Sequence, residues 1–124
     1  MRIFKNKAFV RFARKSRMPD ADLCKAVEDA THGLIDADLG GGVIKQRIAR
    51  QGGGKSGGFR TIILFRVGAR AFFVHGFAKN EKDNIDDKEL AAFKLLATQL
   101  QGLSDAELTK VIKNGTLTEV MCDD

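Results

Sequence analysis

Lys45, Arg47, Arg60 and Lys79 are four cations in a stretch without a single carboxylate. Between Leu39 and Asn80 the chain carries eight basic residues, and all 16 Asp and Glu lie outside that window. Such a set of cations can stabilise negative charge that builds up on a bound group, and a lysine crowded by arginines, its ammonium form disfavoured, can exchange a proton. His75 stands in the same stretch and adds an imidazole, flanked on its predicted strand face by Phe73 and Phe77. A surface of one sign calls for a partner of the opposite sign, and the commonest polyanion a protein meets is nucleic acid. The remaining charge is a mosaic. Residues 1–19 carry seven basic groups and no acid, residues 20–38 six acids and one Lys, residues 81–124 ten acids and five Lys.

Other chemistry is poorly represented. Gly54, Lys55 and Ser56 imitate a phosphate loop, but the Walker pattern needs glycine where Ala49 stands, and the segment leads into a strand rather than a helix. Residues 52–57 also fit G-x-G-x-x-G in the same unsuitable context, so a loop whose backbone approaches a phosphate chain is the expectation. No Asp, Glu, His and Cys cluster has metal-ligand spacing, and no cofactor is expected. Asp83, Asp86 and Asp87 fall at a helix start, where carboxylates offset the helix dipole, and His32 falls at a helix end. Cys24 and Cys122 are expected to be a buried thiol and a stray one rather than a disulfide.

The elements that must position these residues follow from periodicity. Residues 2–4 suit a short edge strand, and Asn6 caps a helix to about residue 15. Pro19 breaks the chain before a second helix over residues 21–32, closed by Gly33. Gly40, Gly41 and Gly42 open a sheet of residues 43–50, 59–67 and 70–78, an antiparallel meander. Within it Lys45 and Arg47 share one face, and Phe72 and Val74 oppose Phe73, His75 and Phe77. Residues 86–101 form a helix, Ser104 and Glu107 box the start of another, and residues 116–124 form a loose tail. The order predicts one α+β domain spanning residues 1–124: a helical hairpin, an antiparallel sheet of three to four strands, and C-terminal helices. No apolar run is long enough for a membrane span and no signal peptide opens the chain, so a cytoplasmic protein is expected.

Three segments, taken together, resemble a known family: Gly42-Val43-Ile44-Lys45-Gln46-Arg47, Lys55-Ser56-Gly57-Gly58-Phe59-Arg60, and Phe77-Ala78-Lys79-Asn80-Glu81. In this order over residues 2–101 they are similar to the RelE/ParE superfamily of bacterial toxins, most of all to its HigB-like RelE branch. The resemblance implies a RelE-like fold and a toxin held in check by a cognate antitoxin, of helix-turn-helix type, that covers the basic sheet or displaces the C-terminal helix. RelE-type members cleave messenger RNA on the ribosome; ParE-type members act on DNA gyrase. An inactive nucleic-acid-binding relative would share the same motifs. RNA is cut without metal when its 2′-hydroxyl attacks the adjacent phosphate, with a proton removed, the leaving oxygen protonated and the added charge stabilised. Lys45, Arg47, Arg60, Lys79 and His75 are the candidates for that chemistry. Arg50, Lys55, Phe59, Phe77 and Asn80 are the candidate RNA contacts. The chain has no Tyr and no Trp, so stacking on bases falls to Phe59, Phe77 or an arginine plane.

Overall fold

The computed structural model describes residues 1–49, 58–78 and 85–123. Their elements are β1 (Arg2–Asn6), α1 (Lys7–Lys15), α2 (Asp20–Thr31), β2 (Ala37–Gly40), β3 (Val43–Ile48), β4 (Phe59–Phe65), β5 (Arg70–Ala78), α3 (Asp87–Gln101), α4 (Asp105–Lys113) and β6 (Leu117–Val120). The strands join into one sheet of order β2-β3-β4-β5-β1-β6. Every pairing is antiparallel except β1 with β5, which is parallel. The α+β class holds, but the sheet has six strands instead of three or four, and β1 lies inside it between β5 and β6 rather than at an edge.

Local chemistry explains the helix starts. Asn6 accepts a hydrogen bond from the Phe9 amide, and Asp86 and Ser104 each close a capping box with Glu89 and Glu107. Alternation along the strands then sorts side chains to two faces. Ile44, Ile48, Phe59, Ile63 and Phe73 pack with Phe9 and Ala13 of α1 and with Leu23, Val27 and Ala30 of α2. Val43, Ile62, Leu64, Phe72 and Phe4 pack with Ala97 of α3 and Leu108 of α4. The helix pairs thus cover opposite faces of the sheet.

One irregularity redirects β5. Ile62 pairs with His75 and Ile63 with Phe73, so Val74 is an extra residue, a β-bulge. Phe73 goes to the α1–α2 face, as alternation from Phe72 demands. Past the bulge the phase slips. His75 comes within 5.8 Å of Phe77 and 6.1 Å of Phe93 of α3, ring to ring, while Gly76 meets the Phe12 ring of α1. His75 and Phe77 therefore share a face with Val74, not with Phe73 as strict alternation requires.

The C-terminus departs furthest from the sequence-based expectation. Residues 117–120 are not a loose tail: β6 pairs with β1, its Leu117 and Val120 are buried, and Glu119 receives two 2.8 Å hydrogen bonds from Arg2. Cys24 and Cys122 are not free thiols either; they form a disulfide that ties α2 to the end of the chain. The Met121 amide adds a hydrogen bond to Asp20, which also binds Lys5.

Candidate functional site

The ladder between β3, β4 and β5 aligns the candidate residues in two adjacent rows. Lys45 pairs with Ile62 and Ile62 with His75; Arg47 pairs with Arg60 and Arg60 with Phe77. Ile62 belongs to the core under α3 and α4, so by alternation both rows sit on that face of the sheet. The bulge at Val74 is what brings His75 and Phe77 onto it. Lys45, Arg47, Arg60 and His75 are therefore brought together at one end of one sheet face.

Their environments differ. Arg47 is exposed, Lys45 and His75 are half-buried, and Arg60 is only 8% exposed. Buried guanidinium groups ordinarily have every donor satisfied, yet Nη1 of Arg60 has no hydrogen-bond partner among the described residues. Nε of Arg60 lies 3.7 Å from Asp36, and Nε of Arg47 donates to the same carboxylate at 3.0 Å. The basic face thus contains an acid, contrary to its acid-free sequence window. Asp36 enters from the segment just before β2, which pairs with β3.

Other candidates part from this group. Phe59 is buried on the opposite face, edge-on to Phe12 with ring centroids 5.6 Å apart, so it does not join the two rows. Phe77 is in the row but 6% exposed, which leaves no open stacking surface on it. Lys79, Arg50, Lys55 and Asn80 lie outside the described residues, as do Asp83 and the loop of Gly54, Lys55 and Ser56. Arg70, one of the eight cations of the window, is structural: Nη1 donates to the carbonyls of Leu100 and Leu103, closing the end of α3. His32 caps α2, its ring 2.9 Å from the Glu28 carbonyl. Among the described residues, no three His, Cys, Asp or Glu side chains gather as metal ligands would, and no helix is long and apolar enough to cross a membrane.

An exposed arginine, a buried arginine paired with it across the strand, and a lysine and a histidine in the next row can hold an anionic centre and move protons beside it. Asp36 and the bulge were not foreseen in the sequence. The one available sign of Asp36's position was the glycine triplet that turns β2 back onto β3.

A comparison with curated proteins finds no match. The family model described as the RelE toxin of the RelE/RelB toxin–antitoxin system matches residues 1–120, which takes in every strand, every helix and both rows of the site. The chain therefore belongs to the RelE family: it is a toxin of a toxin–antitoxin system, with an antitoxin as its partner.

Proposed function

We propose that this toxin is a ribosome-dependent, metal-independent messenger-RNA endonuclease of the HigB-like RelE branch, acting in the cytoplasm and neutralised by an antitoxin of helix-turn-helix type. The observation that carries the proposal is the grouping of exposed Arg47, buried Arg60, Lys45 and His75 on one sheet face. Arg47, exposed, can donate to a phosphate oxygen, and Arg60, facing it across the ladder, adds positive charge at the same place.

In the reaction, the ribose 2′-oxygen forms a bond to the adjacent phosphorus as the bond from phosphorus to the 5′-oxygen breaks. The products are a 2′,3′-cyclic phosphate and a 5′-hydroxyl. Arg60 and Arg47 neutralise the charge added to the phosphate oxygens, most strongly in the transition state. Lys45, His75 and Lys79 are the groups assigned to take the 2′-proton and to protonate the leaving oxygen. The ribosome would hold the message in the attacking geometry, a task that tolerates a toxin without an open aromatic platform.

Induction from a tightly repressed promoter, followed within minutes by mapping of transcript 5′ ends, tests the proposal. Cuts inside coding regions that vanish when translation initiation is blocked are the expected result. Replacing Lys45, Arg47, Arg60 or Lys79 by Ala should relieve toxicity in a folded protein. Growth arrest with intact transcripts and broken DNA would overturn the endonuclease and point to gyrase.

A further inference from the structure

Arg47 and Arg60 face each other directly across β3 and β4, an arrangement in which like charges repel. Asp36 resolves the conflict. Oδ1 accepts from Nε of Arg47 at 3.0 Å and Oδ2 lies 3.7 Å from Nε of Arg60, so one carboxylate spans the two guanidinium groups. Its own placement is built in. The Asp36 amide donates to Oε1 of Gln46 at 2.8 Å, and Nε2 of Gln46 donates to the carbonyls of Ala26 and Leu34, both at 3.0 Å. Gln46 is 4% exposed, on the sheet face opposite Arg47, and thereby anchors Asp36 to the α2 layer.

We propose that Asp36 is a positioning residue for RNA cleavage: it pairs with Arg47 and Arg60 at their Nε edges and thereby holds the exposed guanidinium of Arg47 toward the scissile phosphate. This rests on the endonuclease reading of the same site. The geometry suits the division of labour. A guanidinium presents its donors in a rigid fork, so a carboxylate at the Nε edge fixes the plane of the group while the remaining donors stay available. Asp36 itself would not touch the RNA, since a carboxylate against a phosphate is repelled.

The test is a single-turnover cleavage assay on programmed ribosomes with Asp36→Asn, Asp36→Glu, Arg47→Ala and the double variant Asp36→Asn/Arg47→Ala. Asp36→Asn keeps an acceptor oxygen and removes the charge that balances the arginines. The cleavage rate should fall by ~10–100-fold, the scale of a misplaced catalytic group, with ribosome affinity held within about twofold. Asp36→Glu should recover part of the rate, because it restores the charge. In the Arg47→Ala background the Asp36→Asn change should lose most of its effect, since Asp36 acts chiefly through Arg47. Wild-type rates in Asp36→Asn would overturn the positioning role, as would an equal fold-loss with and without Arg47, which would mark a merely structural effect. A parent protein that cuts no message would instead sink the endonuclease reading and this role with it.

Discussion

The β-bulge at Val74 makes a prediction whose sign, not merely its size, is at stake. Because the bulge turns Gly76 toward α1, a methyl group added there would lie 2.3, 2.5 and 2.8 Å from three atoms of the Phe12 ring. Ordinary contact begins near 3.4 Å, so Phe12 must retreat by about 1 Å. It has little room, with its ring packed against Phe9 at 5.5 Å and Phe59 at 5.6 Å. Overpacking of this kind costs about 1–3 kcal/mol, and three contacts under 3.0 Å place Gly76→Ala in the upper half of that range. Against it stands the ordinary benefit of replacing a strand glycine by alanine, about 0.5–1 kcal/mol. The expected net effect of Gly76→Ala is a loss of about 1–2 kcal/mol, read as a lower urea midpoint at unchanged slope. In a Phe12→Leu background the smaller side chain should relieve most of that loss. If Gly76→Ala raised stability, Gly76 would not face α1. The bulge would then be misplaced, and His75 and Phe77 would no longer belong to the basic face.

Two further outcomes follow from the C-terminal anchorage. The Cys24–Cys122 bond closes a loop across 98 positions, and the chain-entropy account assigns such a loop about 4–5 kcal/mol. Reductant should therefore lower the denaturant midpoint of the wild type and leave a Cys24→Ser/Cys122→Ser variant unmoved; equal responses would refute the linkage. Hydrogen bonding from Arg2 holds the Glu119 carboxyl below the usual carboxylate range. Its contribution is thus complete above the unfolded value, about 4.3, and is lost as pH falls through the lower folded value. The pair is half exposed at Arg2, so Glu119→Gln should cost no more than about 1 kcal/mol at neutral pH, and the difference from wild type should shrink in acid.

What could be read from the chain beforehand follows the range of the interactions. Caps at Asn6 and Ser104 act over three residues and were visible as residue types, as was the meander of β3, β4 and β5 with its short connections. The parallel pairing of Arg2–Lys5 with Arg70–Phe73 was not visible, because nothing local distinguishes an inner strand flanked by distant partners from an edge. Leu117–Val120 is buried at both ends and open between, a spacing of three that sends Leu117 and Val120 to opposite faces, so the segment shows no alternation to set against a tail. The disulfide was missed for a different reason. Two cysteines 98 positions apart form no recognisable disulfide framework, and only the pairing of β6 with β1 brings Cys122 beside α2.

The site shows the same limit from the side of charge. A window free of acid along the chain is not a surface free of acid, because a strand's neighbours are set by pairing and not by sequence. Gly40, Gly41 and Gly42 all take positive φ, between 60° and 83°, which is what a tight reversal of β2 onto β3 requires. Taken as a hairpin turn rather than as the start of a sheet, the triplet brings the segment before it back beside β3, where, past a one-residue shift of register between Asp38 and Gly40, Ala37 falls opposite Lys45 and Asp36 comes next to Gln46. The acid that the arginines need was therefore written one hairpin away from them. It also explains why two arginines can face each other across the ladder: their repulsion is offset at the Nε edges by a carboxylate tied to the backbone of α2 through Gln46.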